Sequence, residues 1–153
     1  MRRLSKILER FKRCTSGTAL VETAIIMPLA IILMVEVVDF GRIFMTKATA
    51  QKSMRDGARY LTLLPASAVC GWGLTNAKNL AVYGNIAGTG TPLVTGWAVT
   101  DVSLVTVPAS CATPLEKIQL SANVPFTATM WQAIGLPSSM TLSVQHQERW
   151  IGQ

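Results

Sequence analysis

Charge is scarce in this chain. Only 14 % of the 153 residues are charged, against about 25 % in an ordinary soluble domain, and half are hydrophobic. That deficit argues against a cytosolic enzyme and for a membrane-associated or secreted protein. Histidine is almost absent. His146 stands alone in an alternating, strand-like stretch, whereas metal sites draw on clusters of His, Cys and acids, so it reads as a structural sheet residue. No G-x-S-x-G, H-E-x-x-H or P-loop occurs. Gly88 and Gly90 form a lone G-x-G inside coil, without the strand and helix that a phosphate-binding turn needs. Neither catalysis nor a metal or cofactor is expected. Aromatics are few, and Trp72, Trp97, Trp131 and Trp150 are scattered, which fits packing roles.

The charge that is present is unevenly placed. Residues 1–17 carry Arg2, Arg3, Lys6, Arg10, Lys12 and Arg13 against Glu9 alone, whereas residues 18–153 carry eight basic and seven acidic side chains. The net charge of +6 therefore belongs almost wholly to a short leader. A basic arm suits either nucleic acid or the cytoplasmic flank of a membrane span. The apolar run that follows at once favours the membrane, and no nucleic acid is expected as a partner.

From Thr18 to Val38 there are 21 residues without Lys or Arg. At about 1.5 Å per residue that helix covers a hydrocarbon core of about 30 Å. Its uncharged heart, Thr23 to Val35, is shorter, because Glu22 and Glu36 flank it and Asp39 follows. Pro28 removes one backbone hydrogen bond and predicts a bend, which membrane helices absorb. Beyond Asp39, "GRIFMTKATAQKSMRDGARYLTLL" keeps a helical period. Ile43, Phe44, Ala48, Ala50, Met54, Ala58 and Leu61 form the expected apolar face, with Arg42, Lys47, Lys52, Arg55 and Arg59 elsewhere. Pro65 stops the helix near Leu64, and Gly41 and Gly57 weaken it locally.

Residues 65–97 are rich in Gly, Thr, Ser and Asn, with a short helix expected at "TNAKNLAVYG" and a loop over "GNIAGTGTPLVTG". The period then changes to two. "IQLSANVPFTA" places Ile118, Leu120, Ala122, Val124 and Phe126 on one face, and its Pro125 predicts an edge strand. "AVTDVSLVTV" and "MTLSVQHQERW" are the other strand candidates, with Met140, Leu142 and Val144 sharing a face. One apolar sheet side needs a cover, which the amphipathic helix supplies. The expected class is α+β, a long N-terminal transmembrane and amphipathic helix packed on a small antiparallel sheet. Its divisions are a leader at 1–17, a span at 18–40, an amphipathic continuation at 41–64 and an α+β domain at 65–153. Cys14 precedes the span, where thiols stay reduced. Cys70 and Cys111 follow it, either as buried free thiols or, favoured in an oxidising compartment, as a disulfide.

Gly17 precedes Thr18, and Glu22 is the fifth residue counted from Thr18. A basic leader ending in Gly, then a glutamate at that register before a hydrophobic helix, resembles the signal of type IV pilins and pseudopilins. The wider run "GTALVETAIIMPL…VEVVDFGR…KATAQKSMRDGARYLT" resembles the TadE-like pseudopilins of the tight-adherence (Flp-type) pilus system, through Thr62 and more loosely through "AKNLAVYGN" and the final strands. Thr23 stands where that family often has an aromatic residue. The resemblance implies a pilin-like fold, and cleavage between Gly17 and Thr18 by a prepilin peptidase, an aspartyl protease of the inner membrane. It further implies an N-terminus in the cytoplasm, a C-terminal domain in the periplasm, and other pilin subunits and the assembly machinery as partners. By the same analogy the new Thr18 ammonium and the Glu22 carboxylate of a neighbouring subunit pair, which offsets the roughly 3 kcal/mol cost of a carboxylate in hydrocarbon. Taken alone, Glu22 equally suits snorkelling to the headgroups or pairing with Arg13. Asp39 reads as an i,i+3 partner of Arg42, and Glu36 is open to an inter-subunit role. Rival readings are an uncleaved anchor for a periplasmic adaptor or binding domain, and a domain released after "ATA" at Ala48 to Ala50. The mass of the membrane-extracted chain separates them: a start at Thr18 is expected, whereas a start at Gln51 or an intact N-terminus excludes the pilin-type processing.

Overall fold

Apolar length makes one long helix in spite of Pro28, and the alternation that follows makes one small sheet. The computed structural model describes residues 16–111, 114–129, 131, 135 and 137–152. The expected leader, with Cys14 and its basic side chains, lies outside the described residues. In chain order the elements are α1 (Ser16–Thr62), α2 (Ala66–Val69), α3 (Trp72–Tyr83), β1 (Val102–Val107), β2 (Lys117–Thr127) and β3 (Ser139–Arg149), with single 3-10 turns at Val99–Asp101 and Ala109–Cys111. The architecture is α+β, a long apolar N-terminal helix with a three-stranded antiparallel sheet. The chain divides into two compact units, Met1–Asp39 and Phe40–Gln153.

In the first unit α1 is helical from Ser16 and contains Pro28 without interruption. Every described side chain from Gly17 to Met34 is exposed, among them Leu20, Ile25, Leu29 and Leu33. The helix is long and apolar enough to cross a membrane, with none of that window buried in the protein. Thr23 Oγ1 donates to the Ala19 carbonyl at 2.8 Å, the back-bond by which a helix hides a hydroxyl in apolar surroundings.

In the second unit the core lies between α1, α3 and one face of the sheet. Ala50, Met54, Ala58 and Leu61 of α1 are fully buried, and so are Ala77, Ala81 and Val82 of α3 and Ile118, Leu120 and Val124 of β2. The approach is closest at Gly57. A Cβ placed there lies 2.9 Å from the Ala77 carbonyl oxygen and 3.3 Å from Leu120 Cδ1. Gly57 therefore admits α3 and β2 to the helix surface, and its local cost in helix propensity, about 1 kcal/mol, is offset by packing. The apolar face differs from the one expected. Ile43 packs against the core, but Phe44 is 70 % exposed and Ala48 is exposed. Phe44 lies about 120° around the helix from Ala50, so its spacing is helical but its direction is outward.

The sheet order is β1-β2-β3. β2 pairs with β1 from Val102↔Ala122 to Val107↔Lys117, and with β3 over its full length, from Lys117↔Arg149 to Thr127↔Ser139. β2 is thus the central strand, not the edge strand that Pro125 suggested. Proline is tolerated because β1 stops at Ala122, so at position 125 one side of β2 has no partner strand to miss the N–H. The expected inward residues Ile118, Leu120, Ala122, Val124 and Phe126 are all buried, as are Leu142 and Val144, while Met140 is half-buried. β1 starts later than its alternation suggested, because Asp101 Oδ2 accepts the Ala98 N–H at 2.9 Å and holds a turn before Val102.

The short helix expected at residues 75–84 forms over Trp72–Tyr83 and ends on Gly84 at φ 74°, the left-handed cap that glycine supplies. α2, a single turn started by Pro65, was not legible in the sequence. A disulfide joins Cys70 to Cys111 and ties the α2–α3 junction to the segment after β1. Trp97 is buried, Trp131 and Trp150 are partly buried, and Trp72, expected to pack, is 59 % exposed. The chain end returns to α1: Trp150 Nε1 donates to the Leu64 carbonyl at 3.0 Å and the Ile151 N–H to the Thr62 carbonyl. Two substitutions test this packing by denaturant unfolding of the detergent-solubilised chain, read by tryptophan fluorescence. Gly57→Val is expected to destabilise by about 1–3 kcal/mol through overpacking. Cys70→Ser with Cys111→Ser is expected to cost about 3–4 kcal/mol, because the bridge closes a long loop. An unchanged midpoint for Gly57→Val means that α3 does not approach the helix as described.

Candidate functional site

The residues singled out for processing and assembly all lie on the first unit's stretch of α1. Gly17 and Thr18 lie on α1, which is described from Ser16. A Cβ added at Gly17 meets no atom within 4 Å, so packing among the described residues gives no reason for glycine there. Glycine lowers helix propensity by about 1 kcal/mol relative to alanine, which weakens α1 at that point.

Glu22 is exposed, with Leu20, Val21, Ile25 and Ile26 exposed around it. A carboxylate only accepts hydrogen bonds. Past the first four residues the N–H groups of a helix are committed to its own carbonyls. The contrast with Thr23 is direct: a hydroxyl donates back to its helix, as Thr23 does, whereas Glu22 must draw a donor from outside its own backbone.

Glu36 is half-buried and Asp39 is buried, 1 % exposed. Glu36 lies about 40° around the helix and about 21 Å along it from Glu22. That separation is shorter than a hydrocarbon core of about 30 Å, so the two carboxylates cannot both lie at the interfaces of one perpendicular span. Arg42, in the second unit, donates from Nη1 to Thr129 Oγ1, and its guanidinium carbon lies 5.5 Å from the centroid of the Phe126 ring. Sequence reasoning missed both of these contacts. Thr129 is 87 positions away, and no local pattern signals it.

The remaining surface offers little chemistry. Among the described residues no group of three or more His, Cys, Asp or Glu is placed to hold a metal ion. His146 Nε2 and Glu148 Oε1 are 2.8 Å apart, two positions apart on one face of β3. They sit beside an open groove of about 560 Å³ lined by Leu115, Glu116, Lys117, Arg149 and Trp150 among others, which has charges of both signs and no Ser, Thr or Cys nucleophile. A second groove, of about 390 Å³, is lined by Arg42, Met45, Thr46, Leu93 and Phe126 with neighbouring threonines.

The family model for TadE-like proteins matches residues 17–59. The match begins at the glycine of the expected cleavage bond and ends short of α3 and the sheet, so the looser likeness read in "AKNLAVYGN" and the final strands lies outside it. No curated protein and no solved structure matches the chain. The helix that bears Gly17, Thr18, Glu22 and Glu36, and that goes on to pack Ala50, Met54 and Ala58 into the core, is the segment over which this chain is similar to TadE-like proteins.

Proposed function

We propose that this chain is a minor pilin or pseudopilin that helps to build a tight-adherence pilus for surface attachment. The observation that carries the reading is the coincidence of the TadE-like match, beginning at Gly17, with an exposed Glu22 on a helix able to cross a membrane. In this reading residues 1–17 are a leader, and a prepilin peptidase removes them at Gly17–Thr18 on the cytoplasmic side of the inner membrane. Residues 18–40 span that membrane, and the domain that follows lies in the periplasm, where the Cys70–Cys111 disulfide persists.

Cleavage changes the electrostatics of the helix end. It removes a net charge of +5 carried on residues 1–17 and creates an ammonium on Thr18. That group is a donor with three protons, which the Glu22 carboxylate of an adjacent subunit needs and its own helix backbone cannot provide. Two helices side by side then each satisfy the other's charge, and the cost of a carboxylate in hydrocarbon, about 3 kcal/mol on insertion scales, becomes a force for association. Glu36 offers a second inter-subunit contact on nearly the same helix face. The uncleaved anchor remains the rival, and it assigns Glu22 no partner beyond lipid headgroups or the leader.

Glu22→Ala and Glu22→Gln separate charge pairing from shape. Both variants are expected to be cleaved and to reach the membrane at normal levels, while surface piliation and attachment fall. Glu22→Gln keeps the side-chain volume but loses the charge, and is expected to fall nearly as far. Normal piliation by both variants, measured by sheared-fibre yield, would falsify the pairing.

A further inference from the structure

The outward face of α1 does not change from apolar to charged where the first unit ends. Phe40, Phe44 and Met45, at the start of the second unit, are 55 %, 70 % and 74 % exposed. Phe44 and Met45 bracket a sector of the helix about 100° wide, opposite the core-facing residues. Further along, Lys52, Arg55 and Arg59 occupy that same sector, and all are exposed. The face thus stays apolar for about one and a half turns past Asp39 and then becomes basic. No Asp or Glu occurs between Phe40 and Gln51. Of the two cations in that stretch, Arg42 is engaged with Thr129 and the Phe126 ring, and Lys47 follows Met45 by two positions. Met45 also borders Leu93, itself 45 % exposed, across the groove beside Arg42.

Three occupants of such a face are conceivable in chemistry: water, a second copy, or lipid. Water is disfavoured by the area of adjacent apolar surface. The choice of lipid rests on continuity and on length. Phe40 continues the helix that is read as the membrane span, in which Val37 and Val38 are exposed and Asp39 is buried. From Phe40 to Met45 the helix rises about 7.5 Å, close to the 5–7 Å of headgroup layer on one side of a bilayer. Aromatic rings are side chains that suit this layer.

We propose that the end of the second unit around Phe44 and Met45 is a lipid-docking surface seated in the headgroup layer, with the aqueous boundary at about Lys47 rather than at Asp39. The proposal rests on the reading of α1 as a membrane span. It holds the domain down on the bilayer while the subunit is unassembled, so extraction into a fibre must strip this collar of lipid as well as the span.

Nitroxide labels on the full-length chain, in a Cys14→Ser background with the disulfide intact and reconstituted into liposomes at low protein density, test it. Labels replace Leu29, Phe44, Met45, Lys52 and Arg59 one at a time, all exposed positions, and the ratio of oxygen to nickel-complex accessibility is read at each. The expected ratios at Phe44→Cys and Met45→Cys lie between the high value of Leu29→Cys and the low values of Lys52→Cys and Arg59→Cys. Values at 44 and 45 equal to those at 52 and 59, with Leu29→Cys in lipid, overturn the docking surface and leave the membrane reading intact. A low ratio at Leu29→Cys overturns both. Labels at 44 and 45 shielded from both reagents and broadened by a neighbouring label assign the face to a second copy and overturn the lipid proposal.

Discussion

The second unit depends on one close approach, the meeting of α1, α3 and β2 at Gly57. A backbone carbonyl of α3 and a leucine methyl of β2 occupy the space in which a side chain would stand. Small residues meet there: Ala77 and Ala81 lie within 4 Å of an added Cβ, and both are fully buried, as is the adjacent Ala58. The elements therefore approach by backbone fit, and larger residues such as Met54, Leu61, Ile118 and Leu120 close the gaps around it. The disulfide and the hydrogen bonds from Trp150 and Ile151 to the end of α1 then tie the periphery of the unit to the same helix.

One helix carries two kinds of surface. From Ala50 to Leu61, α1 is amphipathic in the ordinary sense, with a buried stripe and a basic outer face. From Gly17 to Met34 it is exposed all round and apolar, which in water is unfavourable and in a bilayer is what a span requires. The polar groups within the apolar part separate by what they can donate. Thr23 satisfies itself on its own backbone. A carboxylate cannot donate back to its helix, so Glu22 needs a donor from outside its own backbone, and the proposed assembly function is built on that need.

Much of the fold was legible. The two-residue period of Ile118 to Phe126 matches the buried face of β2, and Pro65 and Gly84 stand where α1 and α3 give way. The pairing of Cys70 with Cys111 was one of two open readings and is formed. The errors share a cause. Phe44 was placed inward and Pro125 at a sheet edge because local spacing reports period but not which way a face points, nor where a neighbouring strand ends. The near-complete burial of Asp39 had no local signal.

What the residues determine by themselves is local or compositional: an apolar helix of spanning length, the glycine and glutamate register at its start, the alternation of the strands, and the caps. Each depends on side chains within a few positions of one another or on a covalent bond nearby. Tertiary structure alone decided that Gly57 is a packing residue rather than a weak point, that β2 is central, and that Arg42 reaches Thr129. Those outcomes depend on atoms brought together from segments 10 to 87 positions apart, and the free energy of a contact belongs to the pair, so neither partner's sequence neighbourhood contains it.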